Sequence, residues 1–152
     1  MNELVFQSQN HFPLSSNQKR LWLMSQRDGT NPAYNIQIAY HIKGKVNYDI
    51  FLESIKILFN NQYTMFSVFK QKDGVPHIEI VPEKITIESI DFSHLPAEIR
   101  KGKILSFAGE DSRKCFDLEK GPLYRLFLLK EDNESVFFYT TINCILKECR
   151  SE

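Results

Sequence analysis

Leu123-Tyr124-Arg125-Leu126-Phe127-Leu128-Leu129 and Val136-Phe137-Phe138-Tyr139-Thr140-Thr141-Ile142 are the runs whose reading decides the fold. Both are apolar and rich in aromatic residues, and the polar link Lys130-Glu131-Asp132-Asn133-Glu134 joins them, so they read as adjacent strands. Upstream, Met65–Phe69 and His77–Val81 read as a second strand pair. Asp73-Gly74 between them supplies residues tolerant of positive φ, as a tight hairpin requires. Pro76 and Pro82 limit the second of these strands. Tyr34–Ile42 is bounded by turns and suits a further strand, and 85–92 adds an extended piece.

Helical spacing fills the gaps. Gln18, Leu21, Trp22 and Ser25 recur on one face of a helix reaching about Arg27, with Ser15, Ser16 or Asn17 as its cap. Asp28-Gly29-Thr30-Asn31-Pro32 ends it. Ile50–Asn60 carries a broad apolar face through Leu52, Ile55, Ile57, Leu58 and Phe59. Residues 95–114 read as a third helix, weakened by Gly102 and Gly109. The order is mixed α/β without internal repeat. Its compact solution is a two-layer sandwich with helices packed on a mostly antiparallel sheet. Phe59, Met65, Phe69, Leu126, Leu128 and Phe138 are the expected interior. Residues 1–12 read as a leader, 13–142 as the domain and 143–152 as a divergent tail.

Composition narrows the function. Hydrophobic residues make up 42% of 152, enough for a substantial core rather than a disordered chain. Lys plus Arg and Asp plus Glu both total 19, so no net charge draws the chain to nucleic acid or an anionic membrane. No apolar run is long enough to cross a bilayer, and Met1-Asn2-Glu3-Leu4 does not open a signal peptide. Cys115, Cys144 and Cys149 do not make a disulfide framework, so reduced thiols in a cytoplasmic protein are expected. The cysteines also lack local partners for zinc, and no metal is expected. Arg100, Lys101 and Lys103 read as an exposed helix surface.

From Pro13-Leu14-Ser15-Ser16 near the start to Gly121-Pro122-Leu123-Tyr124-Arg125, several segments, in order, resemble the N-terminal lobe of nonribosomal peptide synthetase condensation domains, in the chloramphenicol-acetyltransferase-like superfamily. Pro13-Leu14-Ser15-Ser16-Asn17-Gln18-Lys19-Arg20-Leu21-Trp22 is similar to the first motif of that family. Asn35-Ile36 resembles its first strand, Asp73-Gly74-Val75-Pro76 its hairpin, and Asp91-Phe92-Ser93 its Asp-Leu-Ser segment. Phe116-Asp117-Leu118-Glu119-Lys120-Gly121-Pro122-Leu123-Tyr124-Arg125 follows its Phe-Asp-Leu-x-x-Gly-Pro-Leu-x-Arg motif. The resemblance implies half of a two-lobed acyltransferase-like fold with a tunnel between the lobes. It implies no bound cofactor, because family substrates arrive on phosphopantetheine-bearing carrier proteins. The family activity it implies is amide-bond formation between carrier-bound acyl and aminoacyl groups.

The resemblance also locates where chemistry is expected to fail. The family active-site pattern His-His-x-x-x-Asp-Gly falls on Ile142-Asn143-Cys144-Ile145-Leu146-Lys147-Glu148. Its second histidine is Asn143, an amide that cannot serve as a general base. Its aspartate is Lys147 and its glycine Glu148. The middle pattern Arg-His-Glu-x-Leu-Arg-Thr-x-Phe falls on Asn61–Phe69, placing Gln62 at its histidine and Phe66 at its second arginine. That arginine resembles a structural partner of the active-site aspartate, so both ends of the pair are replaced, at Phe66 and Lys147. His11, His41, His77 and His94 read as surface or strand-packing residues. No catalytic residue is expected. The expected protein is a truncated, inactive condensation-domain fragment. The alternative is a split-domain or accessory protein docking to a second lobe or a peptidyl-carrier domain. A weak homodimer through Phe137-Phe138-Tyr139 and the final sheet edge is also expected.

Overall fold

The computed structural model describes residues 11–29 and 31–147. The elements in order are β1 (His11–Pro13), α1 (Ser16–Asp28), β2 (Asn35–Lys43), α2 (Tyr48–Asn60), β3 (Ser67–Lys72), β4 (Val75–Ile80), β5 (Glu88–Asp91), α3 (Ala97–Ser112), β6 (Tyr124–Lys130), β7 (Ser135–Asn143) and α4 (Cys144–Lys147). Short 3-10 turns at Pro32–Tyr34 and Tyr63–Phe66 lead into β2 and β3. The class is α/β, as the pattern predicts, and α4 adds a short helix, within the expected tail, to the three that the pattern shows.

The strands divide into two sheets, where the sequence suggests one. β1-β4-β3 is a small antiparallel sheet, and β2-β7-β6-β5 is the larger one. In the larger sheet β5 runs parallel to β6, and the other pairings are antiparallel. Asp73 and Gly74 take φ of 51° and 80°, the left-handed pair that closes the β3–β4 hairpin. β1 draws His11 and Phe12 out of the leader and pairs them with Glu79 and Ile78.

Helices cover both faces of the larger sheet, not one. Alternate residues of β6 and β7 explain this. Leu126, Leu128 and Phe138 join the main core with Ile55 of α2 and Trp22 of α1, while Phe59 packs at its margin. Phe127, Leu129 and Tyr139 point the other way, against Ile104 and Phe107 of α3. A strand buried on both faces reads as a continuous apolar run, as Leu126–Leu129 does.

Three expectations about the surface are corrected. Phe138 and Tyr139 are core residues, and Phe137 stacks on His41 at 3.9 Å, so the aromatic segment is not an exposed face. Nor is β7 an edge: it lies between β2 and β6, and β2 pairs with it from Asn35 to Lys43. Arg100 also leaves the expected basic surface. Its guanidinium donates to the carbonyls of Ser93 and Leu95 and pairs with Asp132 at 3.5 Å.

Candidate functional site around Asn143

Asn143 ends β7, opposite Asn35 of β2. Its backbone N–H donates to the Leu123 carbonyl at 2.9 Å. Its side-chain oxygen accepts from the Ile145 N–H at 3.1 Å. The amide therefore holds the backbone where the chain turns into α4. Ile145 and Leu146 of α4 are buried, so the start of the tail supplies core.

The segment around Ser15 meets this turn from the other side. Of the candidate caps, Ser15 caps α1: its hydroxyl accepts from Gln18 N–H, and the Gln18 side chain accepts from Ser15 N–H at 2.9 Å. Gln18 is buried, and its Nε2 reaches the Ile145 carbonyl at 3.4 Å. Trp22 and Leu21 follow one turn on; Trp22 is buried and Leu21 packs at the core margin, while Arg20 is exposed. Leu21, Ser25, Tyr34, Phe116, Asn143 and Ile145 contribute to the walls of a cavity of about 230 Å³.

Asp117 also borders this cavity. Burial acts to raise its carboxyl, but the amides of Glu119 and Lys120 and the Lys120 ammonium outweigh it and hold the group below the usual carboxylate range. It stays ionised near neutrality and serves as a turn acceptor rather than an acid. Among the described residues no histidine borders this cavity. Such a lining can hydrogen-bond and position a ligand; Asn143 offers it no group that takes a proton.

A buried ionic cluster supports the site from below. Asp111, on α3, is fully buried. Arg125 donates from Nε to its Oδ1 at 2.6 Å, and Thr141 donates to its Oδ2 at 2.6 Å. The Arg125 guanidinium lies 4.2 Å from the centre of the Phe116 ring. It also donates to the Lys114 carbonyl at 3.2 Å, and Asn35 Nδ2 donates to the carbonyls of Ser112 and Lys114 at 3.0 and 2.9 Å. Two side chains thus satisfy carbonyls around the end of α3 that the helix leaves unpaired. Sequence reasoning found Asn35, Phe116 and Arg125 and missed Asp111. Its register with Ile104, seven residues earlier on the buried face, was the available sign.

A sequence profile described as the condensation domain matches residues 8–142. The chain belongs to the condensation-domain family. Malpinin synthetase from Mortierella alpina is 31% identical over 133 residues, covering 86% of this chain and 2% of that protein. Bacitracin synthase 3 from Bacillus licheniformis is 30% identical over 128 residues, covering 84% and 2%. The starter condensation domain of rhizomide synthetase superposes with a TM-score of 0.80 at 20% identity, over 90% of this chain and 34% of that one. The first condensation domain of the calcium-dependent antibiotic synthetase gives 0.78 at 19%, over 88% and 32%. At such identities these two likenesses establish the fold alone. The chain spans about a third of those solved domains, corresponding to their N-terminal portion.

In this condensation-domain lobe the remaining motif positions fall as follows. Ile142 is half-buried in β7, next to Asn143. Lys147 is exposed at the end of α4, and Glu148 lies outside the described residues. Gln62 is exposed and precedes the turn Tyr63–Phe66, its carbonyl accepting from Met65 N–H. Phe66 packs its ring at the edge of the main core. Phe116 and Leu123 are buried, Leu118 is half-buried, and Gly121 and Pro122 carry the chain from the Asp117 turn into β6. Phe69 N–H donates to the Leu118 carbonyl at 2.8 Å, fastening this segment to the smaller sheet.

Proposed function

We propose that this chain is a condensation-domain lobe that does not itself form amide bonds. The observation that carries the reading is Asn143. It occupies the position of the resembled second histidine, and its side-chain oxygen is engaged by the Ile145 amide. An amide there positions backbone and takes no proton from an attacking amine. Phe66, an apolar ring at the core margin, supports the same reading. The Asp111–Arg125 cluster and the Ser15–Gln18 cap keep the scaffold intact without supplying the missing base. In this reading the protein acts in the cytoplasm beside a peptide synthetase. Family substrates reach the assembly on phosphopantetheine-bearing carriers, and the chain binds no cofactor of its own.

The test supplies purified chain with carrier proteins loaded with acyl and aminoacyl groups, and reads products by mass spectrometry. No amide product is expected from the chain, nor from Asn143→His, because a histidine alone brings neither the supporting pair nor a closed tunnel. Amide formation by the unaltered chain overturns the proposal.

A second reading, an accessory docking module, is favoured by one observation. Ile50, Ile57 and Leu58 share a face of α2 and are 65%, 62% and 59% exposed. An apolar stripe of this kind suits contact with a second lobe, a peptidyl-carrier domain or a second copy. Calorimetry against the two domains and sedimentation of the chain alone distinguish these partners. Binding that Ile57→Glu abolishes supports docking; the absence of heat and of self-association up to about millimolar concentration rules it out.

A further inference from the structure

His11 opens β1, and the strand register sets it opposite Glu79 of β4, with Pro13 opposite His77. Side chains alternate along a strand, so 77 and 79 share a face, and directly paired residues share it across strands. His11, His77 and Glu79 therefore project from the same side of the smaller sheet. The other side carries Ile78 and Phe12, which pack into the core. The His11 and His77 ring centres lie 4.8 Å apart at an interplanar angle of 76°. One potential ligand atom from each of the three residues lies within 4.8 Å of the other two. His77 and Glu79 are half-buried and His11 is exposed, which gives an ion a partly enclosed seat with open access.

We propose that His11, His77 and Glu79 bind a divalent transition-metal cation of the zinc type, which clips the edge strand β1 to β4. Two imidazole nitrogens and one carboxylate oxygen are donors suited to zinc, with the fourth position left to water. Magnesium and calcium favour all-oxygen shells and fit the set poorly. Bond lengths of about 2.0–2.2 Å set donors about 3.3–3.6 Å apart around a tetrahedral ion, so donors now within 4.8 Å must close by as much as about 1.5 Å, a movement open to the exposed His11 ring. Among the described residues β1 is three residues long and pairs along one side, with β4, so a bond through His11 bears directly on its attachment.

Lys70 makes the inference specific. It pairs with His77 in the β3–β4 ladder, and its Nζ lies 3.0 Å from Glu79 Oε1. Without metal this ammonium neutralises the carboxylate. An incoming cation competes with it, so removing Lys70 strengthens binding instead of weakening it. The trio has no local spacing in sequence, because one ligand comes from the first strand and two from the hairpin. This is why the sequence pattern pointed to no metal.

The experiment titrates the full chain with zinc and follows the histidine Cε1–H signals by NMR. Saturable shifts of His11 and His77, with His41 and His94 unmoved, are expected. Calorimetry should show His77→Ala weakening zinc binding by at least about tenfold, on the scale that disturbing a metal site's support already costs. Lys70→Met should tighten it by about two- to fivefold, the worth of an exposed ion pair. Magnesium should leave the signals in place. Zinc that binds without shifting His11 and His77, as thiol binding would, overturns the proposal. So does the absence of any saturable zinc binding below about 1 mM.

Discussion

Asp111 and Arg125 form a pair whose members are buried unequally. The Asp111 side chain is 0% exposed and that of Arg125 21%. Arg125→Met leaves a carboxylate in a dry site without its cation, the Thr141 hydroxyl still donating to it, and should cost about 3–5 kcal/mol. Asp111→Asn removes the buried charge, keeps an acceptor for the guanidinium, and leaves a cation that reaches water. It should cost less, about 1–3 kcal/mol. Urea denaturation of both variants measures the difference, and equal losses would contradict the assignment of the cost to the stranded carboxylate. Tyr139 borders this cluster. Burial, foremost, raises its phenol above the ordinary value, so it remains a donor to the Ala108 carbonyl at 3.2 Å through the neutral range.

At the scale of the element, the same substitution should have opposite signs at two glycines. Gly121 has φ of 61°, and a Cβ there would lie 2.9 Å from Val68 Cγ1. Gly121→Ala should destabilise by about 1–3 kcal/mol, through left-handed strain together with the clash. Gly102 lies in α3 with nothing within 4 Å of an added Cβ. Gly102→Ala should stabilise by about 0.5–1 kcal/mol, because alanine restricts the unfolded chain and favours helix. Thermal melts followed by circular dichroism compare them, and a shift in the same direction for both would refute the argument. Ser15→Ala tests the α1 cap in the same assay, with an expected loss of about 0.5–2 kcal/mol.

The whole molecule should be acid-sensitive for reasons distributed over its loops. Asp91 is held low chiefly by the Ser93 hydroxyl and amide, and Asp132 by the Glu134 amide and the Ser135 hydroxyl. Asp117 is held low by turn amides and Lys120 against an opposing effect of burial. A carboxyl depressed in the folded state contributes stability that is complete above its unfolded value and is lost as pH falls through the folded one. Stability should therefore be flat near neutrality and decline below about pH 4. Asp117→Asn should flatten that decline, because the amide oxygen can still accept from the turn. Denaturant midpoints between about pH 6 and pH 2 provide the measurement, and an unchanged slope would exclude Asp117 as a contributor.

The order of helices and strands from α1 to β7, the Asp73-Gly74 hairpin and the presence of a cap before α1 were legible in the sequence, whereas β1 and α4 were not. Each depends on residues a few positions apart: side-chain period, a turn tolerant of positive φ, a hydroxyl in reach of the next amides. The motif residues Gln18, Phe116, Arg125 and Asn143 were also visible, but their grouping was not. Gln18 meets the Ile145 carbonyl across almost the whole chain, and Arg125 meets Asp111 only because α3 packs on the face of β6 and β7 opposite α2. The division into two sheets, the parallel β5 and the His11–His77–Glu79 face arose in the same way. Local chemistry determines how each segment bends, whereas buried polar pairing depends on which segments the folded chain brings within about 3 Å of one another, and only the tertiary structure decided that.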